Sequence, residues 1–252
     1  MENMPVGMTD HSQSVIGTDT PIRICIYGPA GAGKTELAGS FPKPMWIADF
    51  DMKNKPLYGQ EGIFISEYRM EKPEDAKKLF AKFTKDWRMV CKNSEIKTIV
   101  LDSLTSFDII NLINFVTLSG KEATSSATLP VYQDQSYYYS MFFTELKNIF
   151  DKNVIIIAHE YYHIDKDSGV HSIQPLITGN KILAKLPSQF EELWYITRKG
   201  GESDERVLNY RPAGKAKATS VILKGKGKIE LPPLGSSPSA YELIIKEAKK
   251  GK

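Results

Sequence analysis

The octapeptide "GPAGAGKT", Gly28 to Thr35, constrains this chain more than any other stretch. It follows the apolar run "PIRICIY" and opens the segment "GKTELAGSF", so a buried strand turns through glycines into a helix. Glycines let backbone N–H groups curl around phosphate oxygens with no side chain in the way. The helix start aims further N–H groups at the same anion. Gly28, Pro29, Ala30, Gly31, Ala32 and Gly33 are therefore the expected cradle, with Lys34 as a charge for the outer phosphates and the Thr35 hydroxyl as a Mg²⁺ ligand.

A phosphate loop needs a carboxylate at a neighbouring strand end to hold the metal-bound water. "TIVLD" ends in Asp102 and supplies it; capping of the next helix is the alternative role. "MWIADFD" ends another strand with Asp49 and Asp51 on one face. Hydrolysis needs a carboxylate to position or deprotonate water, and Asp51 is the candidate, a plain loop carboxylate the alternative. Strands alternating with helices over residues 21–158 predict an α/β fold with a mainly parallel central sheet flanked by helices. Helices are expected at Pro73–Asn93, "SLTSFDIINLINFVTLSG", "DQSYYYSMFFTELKNIF" and around Lys181–Leu193. "LWYITRK" and "RVLNYRP" around the turn "GGESDE" suggest a hairpin, and "YYHIDKDSGVHSIQP" a long loop.

The string "HEYYH", His159 to His163, spells a zinc-protease motif. That motif needs both histidines on one helical face. Here the first follows the β-branched run "VIII", a good strand and a poor helix. A continuing strand would set the two histidines about 13 Å apart, so zinc is not expected. At a strand tip beside the phosphate loop, His159 would face the γ-phosphate instead.

Composition narrows the classes. A charged fraction of 25% and an apolar fraction of 41% suit a globular domain, and no run is long enough to span a membrane. Residues 1–20 lack a signal-peptide pattern and are expected to be a flexible leader. Cys25 and Cys91 are expected to be reduced core residues of a cytoplasmic protein. From Lys199 onward there are 12 Lys and Arg against 6 Asp and Glu, and 21 against 24 before it. That basic end is a possible nucleic-acid footprint or a solvated tail.

The four strand ends "GPAGAGKT", "IADFD", "TIVLDS" and "VIIIAHE", in this order, resemble the RecA-like P-loop ATPases. More narrowly they resemble phage-encoded nucleotide-binding and single-strand annealing proteins with that core. The resemblance implies ATP with Mg²⁺ bound by a core over residues 21–225, with a C-terminal β-hairpin extension and a basic tail or helix over 226–252. Lys34, Asp51 and His159 fall on its catalytic positions, with glutamate replaced by Asp51. Its two DNA-binding loops match "SGKEATSSATLPVYQDQ" and "EYYHIDKDSGVHSIQP". Lys121, Tyr161, Tyr162, His163 and Lys166 are the candidates there, although neither loop is rich in Lys or Arg. Lys215 and Lys217 match basic residues that reach a neighbour's γ-phosphate, or are a solvated pair. Single-stranded DNA, a homo-oligomeric ring or filament and a single-stranded DNA-binding protein are the implied partners, in the host cytoplasm if phage-encoded.

Two other functions fit a phosphate loop. A small-molecule kinase usually closes an arginine-rich lid, and the six arginines here are not clustered in sequence. A non-catalytic module would use ATP only to gate a partner.

Overall fold

The computed structural model describes residues 20–165, 169–199 and 205–250. Strand β1 (Arg23–Gly28) leads through the phosphate loop into helix α1 (Lys34–Gly39). Then follow β2 (Met45–Asp49), β3 (Ile63–Glu67), α2 (Ala76–Lys92), β4 (Thr98–Asp102), α3 (Leu104–Leu118), α4 (Leu129–Lys147) and β5 (Asn153–Ile164). The chain continues with β6 (His171–Pro175), α5 (Asn180–Lys185), β7 (Glu192–Arg198), β8 (Arg206–Asn209), β9 (Thr219–Ser220), β10 (Lys228–Leu231) and α6 (Ala240–Lys250). The sheet runs β10-β8-β7-β1-β5-β4-β2-β3, and every pairing from β7 to β3 is parallel. No helix among the described residues is long and apolar enough to cross a membrane.

Period-two alternation divides the core. Cys25, Tyr27, Leu101 and Ile156 face a cluster built with Phe83, Phe107 and Phe142 of α2, α3 and α4. Ile24, Ile26, Val100 and Ile157 face the opposite cluster, which holds Leu37 of α1 and Ile244 and Ile245 of α6. Strands buried on both faces need near-continuous apolar runs, which "ICIY", "TIVL" and "VIIIA" supply.

Three elements go beyond the sequence reading. "IFISE" is a strand, β3, at the sheet's parallel edge, with only partial burial to advertise it. The expected long loop is instead a hairpin: β5 runs straight through "HEYYH" to Ile164 and pairs antiparallel with β6. Tyr161 lies opposite Gln174 and Tyr162 opposite Ile173 in that ladder. The stretch 226–252, expected as a basic tail or helix beyond the core, forms helix α6, which packs into the core, and adds a strand, β10, to the main sheet. The β7–β8 hairpin forms as expected, and β7 is also a full parallel neighbour of β1. The leader and most of "GGESDE" lie outside the described residues.

Helix α6 docks by Tyr241, whose ring lies 4.7 Å from that of Phe41 and which is almost fully buried. Tyr241→Ala should cost about 3 kcal/mol, checked by urea unfolding. A change below about 0.5 kcal/mol would mean that α6 is not part of the folded core.

Candidate nucleotide site

Parallel pairing brings the chemical strand ends to one edge. Gly28 is in register with His159, and Asp49 with Asp102. Close approach makes glycine obligatory at two loop positions. A Cβ on Gly28 would lie 2.1 Å from the carbonyl oxygen of Ile196, and one on Gly33, at φ 87°, 2.5 Å from Arg206 Cδ. Lys34 is 8% exposed, and its ammonium donates to the carbonyls of Gly28 at 2.9 Å and Pro29 at 2.8 Å. Burial lowers its pKa, while Asp102, Asp51 and Glu160 pull the other way.

Across β5, the Thr35 hydroxyl donates to Asp102 Oδ2 at 2.6 Å. Burial, helped by Asp51 and Asp49, pushes the Asp102 carboxyl up to about 6 against the Thr35 bond and Lys34. Asp102 does not cap α3: Ser103 does, accepting from the Ser106 amide. A hydroxyl and a buried carboxylate in contact are hard oxygen donors that suit Mg²⁺, and a cation there would offset the cost of burying Asp102. Among the described residues no group of three or more His, Cys, Asp or Glu is placed to hold a metal. Thr35 and Asp102 would thus hold Mg²⁺ together with phosphate oxygens and water.

Asp51 sits in a socket of donors. Ser103 donates to its Oδ1 at 2.9 Å, Ser106 donates to the same oxygen, and His159 Nε2 donates to Oδ2 at 2.8 Å. Burial raises the carboxyl, but these bonds outweigh it and hold it at about 2. Asp49 shapes the approach, its Oδ1 accepting from the amides of Asp51 and Met52. His159 is fixed in turn: its amide donates to the Thr105 hydroxyl at 3.0 Å, and that hydroxyl donates to the Leu176 carbonyl at 2.8 Å. Lys34, Thr35, Asp51, Asp102 and His159 line one cleft of about 300 Å³.

The other expected residues lie elsewhere. On the β5–β6 hairpin Tyr161 is 43% and Tyr162 46% exposed, on opposite faces. Tyr161 is near His163, ring centres 6.1 Å apart, while Tyr162 contacts His171 and receives a bond from Lys215 at 2.9 Å. Lys217 bonds Gln174 at 3.1 Å, on the face of Tyr161. Lys215 and Lys217 therefore reach different faces of the hairpin, not one, and neither lines the cleft of its own chain. Lys121 is exposed on the α3–α4 loop, and Lys166 lies outside the described residues. "HEYYH" is strand throughout, which keeps its histidines at strand spacing.

Sequence reading matched Asp102-Ser103 to the RecA-like pattern but gave no role to Ser103, Thr105 or Ser106, although "DSLTS" after a strand-end aspartate shows hydroxyls on the first helical turn. It also missed Arg198, which lines the cleft. The arginines that looked scattered are not all so, since Arg198 and Arg206 are cross-strand partners.

A model of the AAA domain family matches residues 20–220. No curated protein matches the chain. Similar solved structures include the RadB recombinase, at 15% identity and TM-score 0.45 over 77% of this chain and 85% of that one. Another is the flagellar accessory protein FlaH from Methanocaldococcus jannaschii, at 12% identity and TM-score 0.44 over 84% and 85%.

The raised Asp102 pKa has a measurable sign. A carboxyl that titrates near 6 when folded and near 3.9 unfolded binds its proton more tightly when folded, so it costs stability as pH rises from about 4 to about 6. Asp102→Asn keeps an acceptor for Thr35 and should stabilise the nucleotide-free protein by about 1–3 kcal/mol at pH 8, with no gain below pH 4. Denaturant unfolding at both pH values checks this, and a destabilised variant at pH 8 would contradict it.

Proposed function

The chain belongs to the AAA domain family, and on that premise we propose that it binds and hydrolyses ATP with Mg²⁺, and that the nucleotide controls its assembly on single-stranded DNA. One observation carries the hydrolytic part: loop lysine, metal-side aspartate and a hydrogen-bonded Asp51–His159 pair face one cleft. Bound Mg²⁺ would neutralise charge on the phosphates. Lys34 turns from the Gly28 and Pro29 carbonyls to the outer phosphates, and Asp51 positions the attacking water and accepts its proton.

In its socket Asp51 is a weak base. His159 is the donor that a γ-phosphate oxygen can draw away, because it sits in register with Gly28 at the loop's entrance. Transfer of that hydrogen bond from Asp51 to phosphate leaves Oδ2 open for water and raises the basicity of Asp51 as the triphosphate docks. Ser103 and Ser106 keep Oδ1 fixed meanwhile.

The same histidine begins the exposed hairpin. Tyr161 and Tyr162 offer faces for base stacking, and Lys215 places a charge beside Tyr162. This supports the DNA reading, in which annealing or strand exchange by a phage-type protein is the biological role. Lys215 and Lys217 are proposed to act on a neighbouring copy's nucleotide, which makes turnover depend on a homo-oligomer. A kinase is the second reading, revived by the Arg198–Arg206 pair beside the loop; ATP turnover without an acceptor would exclude it.

Asp51→Asn should lower phosphate release at least about 100-fold and leave Mg·ATP affinity within about threefold. Undiminished turnover would remove Asp51 from the mechanism. A fluorescent oligo-dT should bind more tightly with Mg·ATP than without nucleotide, and Tyr161→Ala/Tyr162→Ala together should weaken it at least about tenfold. Anisotropy that does not change at low salt would eliminate the DNA role and leave partner gating.

A further inference from the structure

Lys53 lies two residues beyond Asp51 and lines the same cleft, with Lys34, Thr35, Asp102 and His159. Each of the other charged side chains there has a partner. Lys34 donates to two loop carbonyls, and Arg198 donates to that of Gly31. Asp102 accepts from Thr35, Asp51 from His159, and Glu36 from Arg206. Lys53 is exposed, and its ammonium makes no hydrogen bond or ion pair with the described residues. An exposed lysine is ordinarily a solvated charge on a mobile stem.

The backbone beneath this one is held tightly. Asp49 Oδ1 accepts from the amides of Asp51 at 3.0 Å and Met52 at 2.8 Å. Met52, immediately before Lys53, has φ 55° and is the one described non-glycine residue in the left-handed region. That conformation is strained for a residue with a Cβ. Immediately beyond Lys53, Asn54 is buried, and its side-chain amide donates to Glu67 of β3 at 3.1 Å. The Leu57 amide donates to the Asn54 carbonyl at 2.9 Å, and Leu57 is itself buried. Lys53 is thus a long, unpartnered cation on a fixed turn, at the strand end that also supplies Asp51.

We propose that Lys53 contacts the terminal phosphate of a bound nucleoside triphosphate and sets the preference for triphosphate over diphosphate. The inference rests on the cleft being a nucleotide site with Asp51 beside the γ-phosphate. Position supports it, because the turn that carries Lys53 is the one that carries Asp51. Charge supports it too. Lys53 adds to the lowering of the Lys34 pKa, a repulsion that an anion in the cleft would relieve. A compact ammonium on a flexible stem stays hydrated in the empty cleft and swings to phosphate when the anion is there.

Calorimetric titration of wild type, Lys53→Gln and Lys53→Arg tests this, with Mg·ADP and with Mg·AMP-PNP as a non-hydrolysable triphosphate. Lys53→Gln keeps the reach without the charge and should lose at least about tenfold in triphosphate affinity. Its ADP affinity should change less than about twofold. Lys53→Arg should stay within about threefold of wild type for both nucleotides. Melting of both variants without nucleotide should match wild type, which keeps a folding defect apart from a binding defect. Equal losses for the two nucleotides, unchanged affinities, or Lys53→Arg as weak as Lys53→Gln would each overturn the proposal. A wild type that binds neither nucleotide would overturn the nucleotide site itself, a different failure from one confined to the variants.

Discussion

The hydrogen bond from Thr35 to Asp102 joins the two halves of this molecule's chemistry. Thr35 belongs to the phosphate loop's helix and Asp102 to a strand not adjacent to β1, because β5 lies between them. The bond forms only if β1, β5 and β4 are parallel and their C-terminal ends are level. The registers Gly28 with His159 and Ile157 with Asp102 meet that requirement. Each strand must then be buried on both faces, which is why α1 and α6 cover one side and α2, α3 and α4 the other. The buried carboxyl is held at a cost, since its pKa is raised. Under the proposed function, stability is given up where Thr35 and Asp102 would hold Mg²⁺.

The second constraint is the crowding of donors around Asp51. Ser103 caps α3 and also donates to Asp51, so the start of that helix fixes the carboxylate's position. Thr105, two residues further on, contacts both His159 and Leu176, which close the base of the β5–β6 hairpin through the bond from the Leu176 amide to the His159 carbonyl. Both ends of the hairpin therefore meet the helix that holds Asp51. A shift of the hairpin has a direct route to the donor on Oδ2, which gives nucleotide and hairpin state a physical means of influencing each other.

Much of this was legible in the sequence because strand-end chemistry is local. The phosphate loop, Asp51, Asp102 and His159 each follow an apolar run, and Ala30, Gly31, Gly33, Lys34 and Thr35 of the loop line one cleft with those three residues. What stayed hidden depends on pairing between distant segments. β3 is half-buried at an edge and lacks a continuous apolar run. The β5–β6 hairpin sets two adjacent exposed tyrosines between polar residues and leads into a stretch of turn-forming types, a pattern that single-sequence reading assigns to loop. Arg198 and Arg206 are seven positions from being neighbours until the ladder of β7 with β8 places them opposite. Likewise, Lys215 and Lys217 alternate along the chain, yet their partners Tyr162 and Gln174 lie on different faces.

The central claim is that the cleft around Lys34 turns ATP over. Steady-state phosphate release from Mg·ATP by the wild type, with Lys34→Ala as the blank, tests it most directly. The account predicts turnover that needs Mg²⁺ and vanishes in the variant. A wild-type rate no higher than that of Lys34→Ala, in a protein shown to be folded and at concentrations that allow assembly, would contradict it.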